Sequence, residues 1–279
     1  MNNLKYSVLM SVYHKEKPEY LKDSIISMSN QTIPPDEIVL VKDGPLTKEL
    51  DTVIEEFLSN DLLKVISLTE NVGLGKALNI GLSKCRNELI ARMDTDDISV
   101  NNRCEKQLEV FSKNDSLSVV GTAVAEFIGE TDNIIAYKEV KTTYREILNN
   151  IKFRNPINHP SVMFKKSDVL SVGSYKHLDL NEDYYLWLRM VQQGFVLQNI
   201  NEPLVMMRIT DETYLRRGGW NYFITQKKLF DFMLKNGLIN ILEYTYNNLV
   251  RLIMRVLIPN RLRKILYLKV LRKKVTTHI

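Results

Sequence analysis

Apolar positions in the first hundred residues alternate between two periods. "SVLMSVY" (7–13) is a short apolar run of strand length, and "YLKDSIISMSNQ" follows with Leu21, Ile25 and Met28 at helical spacing. "TIPP" breaks that helix, and "EIVLVKDG" (37–44) predicts a second strand closed by a turn. "TKELDTVIEEFLSN" places Leu50, Ile54 and Leu58 on one helical face. "LKVISLTE" (63–70) predicts a third strand, "GLGKALNIGLSKC" a helix entered through glycines, and "ELIARM" a fourth strand. Strands alternating with helices at this spacing imply βαβ units and a mostly parallel sheet flanked by helices, an α/β fold.

Beyond residue 115 the pattern is less regular. "LSVVGTAVAEFIG" and "IIAYKEV" predict strands that pair antiparallel, and "NEDYYLWLRMVQQG" begins with acids and stops at Gly194, as a capped helix does. A helix-rich tail begins near Trp220. Its "NNLVRLIMRVLIPNRLRKILYLKVLRKKV" mixes aliphatic with basic residues at roughly helical spacing, interrupted by Pro259. Such a segment suits the headgroup layer of an anionic membrane; a docked helix and a nucleic-acid patch are its alternatives. Nothing else in the chain reads as a nucleic-acid module, so no nucleic-acid partner is expected.

Charge sharpens this division. Nine of the 38 Lys and Arg residues follow Glu243, after which there is no acid; the remaining 29 face 33 acids, so the body carries −4 and the formal +5 comes from the tail. The N-terminal apolar run is too short for a signal peptide, and no stretch of about eighteen apolar residues predicts a membrane span. Cys85 and Cys104 offer no disulfide framework or metal spacing, which implies two buried thiols in a reduced, intracellular setting.

In open α/β sheets, ligands collect at the carboxyl ends of the strands. Tyr13-His14, Asp43-Gly44 and the cluster Asp94, Asp96 and Asp97 all fall there. Three carboxylates within four residues repel one another, and an oxygen-preferring Mg²⁺ or Mn²⁺ carrying a diphosphate offsets that repulsion. An exposed acidic turn capping the next helix is the alternative. "NVGLGKALNIG" brings glycines and a helix N-terminus to the same edge, with Lys76 as a candidate diphosphate partner; a plain glycine turn is its alternative.

These stretches, taken in order, resemble the nucleotide-sugar half of glycosyltransferase family 2, whose members share the GT-A fold. The likeness covers about residues 5 to 220 and is strongest to bacterial enzymes building O-antigen, capsule and exopolysaccharide repeat units, including the amylovoran-type transferases. It implies a GT-A domain over 1–219 (nucleotide-sugar half about 1–115, acceptor half about 116–219) and a basic amphipathic helical tail over 220–279 that associates with membrane. Ser11, Val12 and Tyr13, with Glu16, would line the uridine pocket. Asp43 would accept from the uracil imide; typical members carry two aspartates in that turn, and here the first is Lys42. Asp94 and Asp96 would be the DxD pair at the ribose and the metal-bound diphosphate, with Asp97 a further ligand; the division of metal ligation among the three stays open.

In the second half, "LNEDYYLWLRM" resembles the family's Glu-Asp motif. Asp183 would be the base that takes the proton of the attacking hydroxyl, with Glu182 holding it or contacting the acceptor. "FRNPINHPSVMF" and "MRITDETYLRRGGW" match stretches of the polysaccharide-building subgroup; His159 would face the acceptor, and Arg208, Arg216 and Arg217 would clamp a diphosphate, with a structural histidine and solvated arginines as the alternatives. The resemblance thus implies an inverting, Mn²⁺- or Mg²⁺-dependent hexosyltransferase on the cytoplasmic face of the inner membrane. It would carry glucose or galactose from a UDP-sugar to a sugar on undecaprenyl diphosphate. Two rivals remain: a sugar-1-phosphate nucleotidyltransferase, whose basic glycine-rich first loop "SVYHKEKPEY" lacks, and a non-catalytic UDP-sugar or membrane-binding module.

Overall fold

The alternating periods are realised as successive βαβ units. In the computed structural model, which describes residues 4–258 apart from 60, 179 and 211–217, β1 (Tyr6–Val12), β2 (Glu37–Lys42), β3 (Leu63–Ser67) and β4 (Leu89–Arg92) are linked through α1 (Pro18–Ser29), α2 (Lys48–Phe57) and α3 (Leu74–Lys84). All four strands run parallel in the order β3-β2-β1-β4, with Val12 opposite Lys42 and Leu9 opposite Arg92. Their carboxyl ends therefore share one edge.

Both faces of β1, β2 and β4 are covered, which is why these strands read as apolar runs, while the edge strand β3 is only half buried. Val8, Met10 and Val12 pack with Leu21, Ile25 and Met28 of α1, while Leu9 packs with Leu78 and Leu82 of α3. Leu58, expected on the buried face of α2, is instead its exposed C-cap, because the helix ends at Phe57.

The second half makes the sheet mixed. β5 (Ile98–Ser99) and α4 (Arg103–Lys113) precede β6 (Leu117–Phe127), β7 (Ile134–Lys138), α5 (Tyr144–Ile151), β8 (Met163–Lys165), α6 (Lys166–Ser171), α7 (Glu182–Gln192) and β9 (Val196–Arg208). The order continues β4-β8-β6-β9-β5; β8 is antiparallel to β4 and β6, β9 is parallel to β6, and β7 pairs antiparallel with β6 as expected. Arg103 and Gln107 of α4 tie these pieces together from inside. Arg103 Nη2 donates to the carbonyls of Arg92 (2.7 Å) and Val162 (3.1 Å), and Gln107 Nε2 donates to those of Val120 and Ser161. α7 brings Trp187, Leu186, Leu188 and Met190 into the core against α3 and α8 (Trp220–Lys235). α9 (Ile241–Leu252), followed by a π turn (Ile253–Leu257), packs on α8; residues 259–279 of the expected tail lie outside the described residues. Cys85 and Cys104 are buried and free.

Candidate active site

The acidic loop leaves β4 at Arg92 and turns at once. Ser24 Oγ donates to the Asp94 carbonyl (2.7 Å), and Thr95 Oγ1 donates to Glu16 Oε2 (2.8 Å), so α1 and the β1–α1 loop brace the turn. Asp97 is buried and its Oδ1 accepts from the backbone N–H of Arg208 (2.8 Å). The Arg208 side chain donates to the carbonyls of Asp96 (3.1 Å) and Gly129 (2.8 Å) and lies between the rings of Tyr20 and Phe127. Its guanidinium is thus engaged in shaping the loop. Arg216 and Arg217 lie outside the described residues.

One carboxylate oxygen each from Asp94, Asp96 and Asp97 lies within 4.8 Å of the others. Burial, then the charges of Asp94 and Glu16, push the Asp96 carboxyl up to about 7. Burial with Asp96 and Asp94 pushes Asp97 well above the usual range, and burial also raises Glu16. Crowded acids of which three, Glu16, Asp96 and Asp97, are held above their ordinary range are the electrostatic complement of a divalent cation, and an all-oxygen donor set suits Mg²⁺ or Mn²⁺ over zinc. The residues fit such an ion.

Arg92 lies beneath this loop. It is 1 % exposed, its Nη2 donates to Asp94 Oδ1, and its Nε and Nη1 are buried without a hydrogen-bond partner. Its charge also acts on Asp97, Asp183, Tyr175 and His159, so one buried cation sits between the acidic loop and the start of α7. A charged residue closing an apolar strand gave little sequence warning of this position.

On the far side, Asp183 Oδ2 accepts from Asn155 Nδ2 (2.7 Å) in the first turn of α7. Burial raises the Asp183 carboxyl above its ordinary value, opposed by the Tyr184 backbone N–H, Arg92, Lys138 and Asn155. Glu182 packs on the first turn of α3: a Cβ on Gly75 would lie 3.4 Å from Glu182 Cγ. Lys76, the next residue, is exposed in the first turn of α3. The Asn79 amide brackets the Tyr175 backbone, and Tyr175 OH meets His159 Nε2 at 2.9 Å. Burial holds His159 well below the usual histidine range, so it stands neutral against Tyr175 and Trp187. Asn155 lies in the stretch singled out from sequence, where only His159 drew attention.

The β2 turn grips the loop before α3. Asp43 Oδ1 accepts from Val72 N (2.7 Å) and Oδ2 from Gly73 N (3.1 Å), and Asp43 N donates to the Val12 carbonyl (2.8 Å). Gly44 has φ +86°, and a Cβ there would sit 2.7 Å from Asn71 N, so only glycine fits. Lys42 pairs with Asp51 at 2.5 Å. Tyr13, half exposed and edge-on to His14, opens onto the same edge. The structure thus gathers Glu16, Asp94, Asp96 and Asp97 around one loop whose Asp94 is paired with Arg92, the same cation whose charge reaches Asp183, with Asp43 holding the adjoining loop.

A family model described as "Glycosyl transferase family 2" matches residues 7–171, which span β1 to α6 and include the whole acidic loop. The chain belongs to glycosyltransferase family 2. It is 37% identical over 269 residues to the Escherichia coli UDP-Gal:alpha-D-GlcNAc-diphosphoundecaprenol beta-1,3-galactosyltransferase, covering 96% of this chain and 97% of that one. The amylovoran biosynthesis glycosyltransferase AmsE of Erwinia amylovora is 37% identical over 264 residues, covering 95% and 98%. Among solved structures, S. aureus TarS 1-349 in complex with UDP-GlcNAc superposes with TM-score 0.67 at 17% identity, over 91% of this chain and 74% of that one. The mannosyltransferase PcManGT from Pyrobaculum calidifontis, in complex with GDP-Man and Mn2+, gives TM-score 0.61 at 14% identity, over 93% and 71%. The glycosyltransferase therefore has the GT-A fold, and its relatives include bacterial enzymes named for amylovoran and O-antigen biosynthesis.

Proposed function

We propose that this transferase moves a hexose, with galactose or glucose favoured, from a UDP-sugar to a sugar on a lipid diphosphate, with inversion at the anomeric carbon. The observation that carries this reading is a buried cation, Arg92, bonded to Asp94 of the acidic loop and acting by its charge on buried Asp183, in a chain related over 96% of its length to a UDP-Gal:alpha-D-GlcNAc-diphosphoundecaprenol transferase.

In this reading Asp183, oriented by Asn155, removes the proton of the attacking acceptor hydroxyl. The hydroxyl oxygen forms the new bond to the anomeric carbon as the bond to the diphosphate oxygen breaks, and UDP departs with that electron pair. Raised basicity suits the task, since a carboxylate of ordinary strength draws a hydroxyl proton poorly. Asp94 and Asp96, with Asp97 behind them, would hold Mn²⁺ or Mg²⁺, which when bound supplies positive charge to the departing diphosphate. Arg92 keeps Asp94 aimed and balances charge between loop and base. Arg208 fixes Asp97 and the backbone of Asp96, so it acts as a positioning residue. Val12, Tyr13 and Glu16 would border the nucleoside end, and Asp43 holds the loop that leads into α3, whose first turn carries Lys76.

The enzyme would work at the cytoplasmic surface of the inner membrane, where a lipid-linked acceptor resides. The test is transfer of labelled sugar from a panel of UDP-hexoses to a synthetic GlcNAc-diphospholipid, with Mn²⁺ or with EDTA. A lipid-linked product lost with EDTA and lost in Asp183→Asn supports the proposal. Binding of UDP-sugar without turnover, or turnover untouched by EDTA, overturns it.

A further inference from the structure

α9 is built the wrong way round for a helix of a water-soluble surface. Leu242, Tyr246, Leu249 and Ile253, with Leu257 of the π turn, recur at intervals of three or four residues, and all are exposed, Leu242 at 77% and Leu257 at 66%. The side facing the protein is pinned by polar groups, beside Tyr244, which packs half-buried on the core. Asn247 Nδ2 donates to the Lys152 carbonyl (3.1 Å), and Arg251 binds the Phe153 carbonyl and Asn247 Oδ1 while lying over the Phe230 ring. Those bonds pin the orientation, so the apolar stripe is held outward along roughly 22 Å of helix. An exposed ordered stripe of this size marks a surface made to be covered.

We infer that this stripe is the face by which the transferase lies on an anionic lipid bilayer. Charge selects that occupant. Of the nine Lys and Arg that follow Glu243, Arg251 and Arg255 belong to α9 and its π turn and seven belong to residues 259–279, outside the described residues; no acid follows Glu243, and the remainder of the chain carries −4. An anionic surface attracts the basic end and repels the remainder, which orients the molecule. A second copy of this chain would bring like charges together. Trp220, 56% exposed, adjoins the far end through the bond from Gly219 N to the Arg255 carbonyl, and Tyr246 meets Phe153 edge-on; such amphipathic rings favour the headgroup level. Among the described residues no helix is long and apolar enough to cross a membrane, so the contact is one of lying on the surface.

The position of the stripe bears on the reaction. The segment gripped by the inner face of α9 at Lys152 and Phe153 continues two residues on to Asn155, which holds Asp183. The stripe thus lies on the acceptor side of the site. The inference deepens the proposed lipid-linked chemistry and rests on that reading for its purpose, though not for its binding test.

Flotation of the full chain with vesicles of phosphatidylglycerol and phosphatidylethanolamine, against phosphatidylcholine alone, measures the contact. The wild type is expected to float with the anionic vesicles, and Leu242→Gln/Leu249→Gln/Ile253→Gln to lose about tenfold in partitioning at unchanged helical content. The same variant is expected to transfer sugar at the wild-type rate to a short-chain, soluble diphosphate acceptor and poorly to one embedded in vesicles. Equal flotation of variant and wild type overturns the inference. So does sedimentation, without vesicles, showing a wild-type dimer that the three substitutions split. If neither protein transfers sugar to any acceptor, the functional proposal falls while flotation still decides this one.

Discussion

α7 and α9 are amphipathic helices of similar length, each begun by an acid in its first turn, and they face opposite ways. α7 buries Leu186, Trp187, Leu188 and Met190 and leaves Glu182 and Asp183 at the site. α9 buries Asn247, holds Arg251 against the core, and gives its aliphatic stripe to the outside. Periodicity reports that a helix has two unlike faces; what lies next to each is decided elsewhere. For α7 the neighbour is the protein core, and for α9 the backbone carbonyls of Lys152 and Phe153 take the inner side.

The sharpest way to break this contrast is at the acid that α7 presents. Asp183→Asn is expected to lower kcat by about 10²–10⁴-fold, as removal of a general base does, with the thermal midpoint unchanged. A loss confined to KM would remove Asp183 from the role of base. Next come the apolar faces themselves. Trp187→Ala should cost about 3–5 kcal/mol of unfolding free energy in urea, whereas Leu249→Ala, on the outward stripe, should stay within about 0.5 kcal/mol. Comparable losses in the two variants would mean that α9 is packed against something in solution.

A smaller effect concerns the cation between the two carboxylate groups. Arg92→Met leaves the half-buried Asp94 without its partner and is expected to destabilise by about 2 kcal/mol. The double variant Arg92→Met/Asp94→Asn should recover a good part of that, and a strictly additive double-mutant cycle would contradict the pairing. The smallest effect is in pH. Because the Asp96 carboxyl is pushed up to about 7 in the folded chain, the folded state binds a proton there that the unfolded chain has already released. Stability is therefore lost as pH rises through about 7 and regained on moving down from it. In EDTA, the midpoint should rise by a few degrees between about pH 8 and pH 6, at roughly 2–4 °C per kcal/mol for a chain of this size, and Asp96→Asn should flatten that slope. Mn²⁺ at pH 8 should raise the wild-type midpoint and leave the variant unmoved.

The parallel half of the sheet was readable from sequence because β1, β2 and β4 are buried on both sides and read as apolar runs, with local helical periods between the strands. The pairing of β6 with β7 was readable for the same local reason. β5 and β8 are two and three residues long, too short for any period, and exist only because β9 and β4 lie beside them. β9 carries exposed Asn201, Glu202 and Pro203 in its middle and owes its length to β6. At the site, the crowding of Asp94, Asp96 and Asp97 was legible and the cation beneath them was not. A lone arginine at the end of a strand has the same appearance whether it points to water or to a buried carboxylate. The basic character of the tail pointed to a lipid surface, but the inversion of α9 depends on contacts 95 and 98 residues away.

Arg208 ties the carboxylate loop to a part of the chain 111 residues later. During synthesis, every acid of the loop has left the ribosome long before its clasp is made, so the first half emerges with the charges in place and nothing to hold their spacing. Donor recognition would then switch on late and abruptly, when the final strand zips into the sheet, and pulse-labelled hydrogen exchange during refolding should find Asp97 and Arg208 gaining protection in the same step.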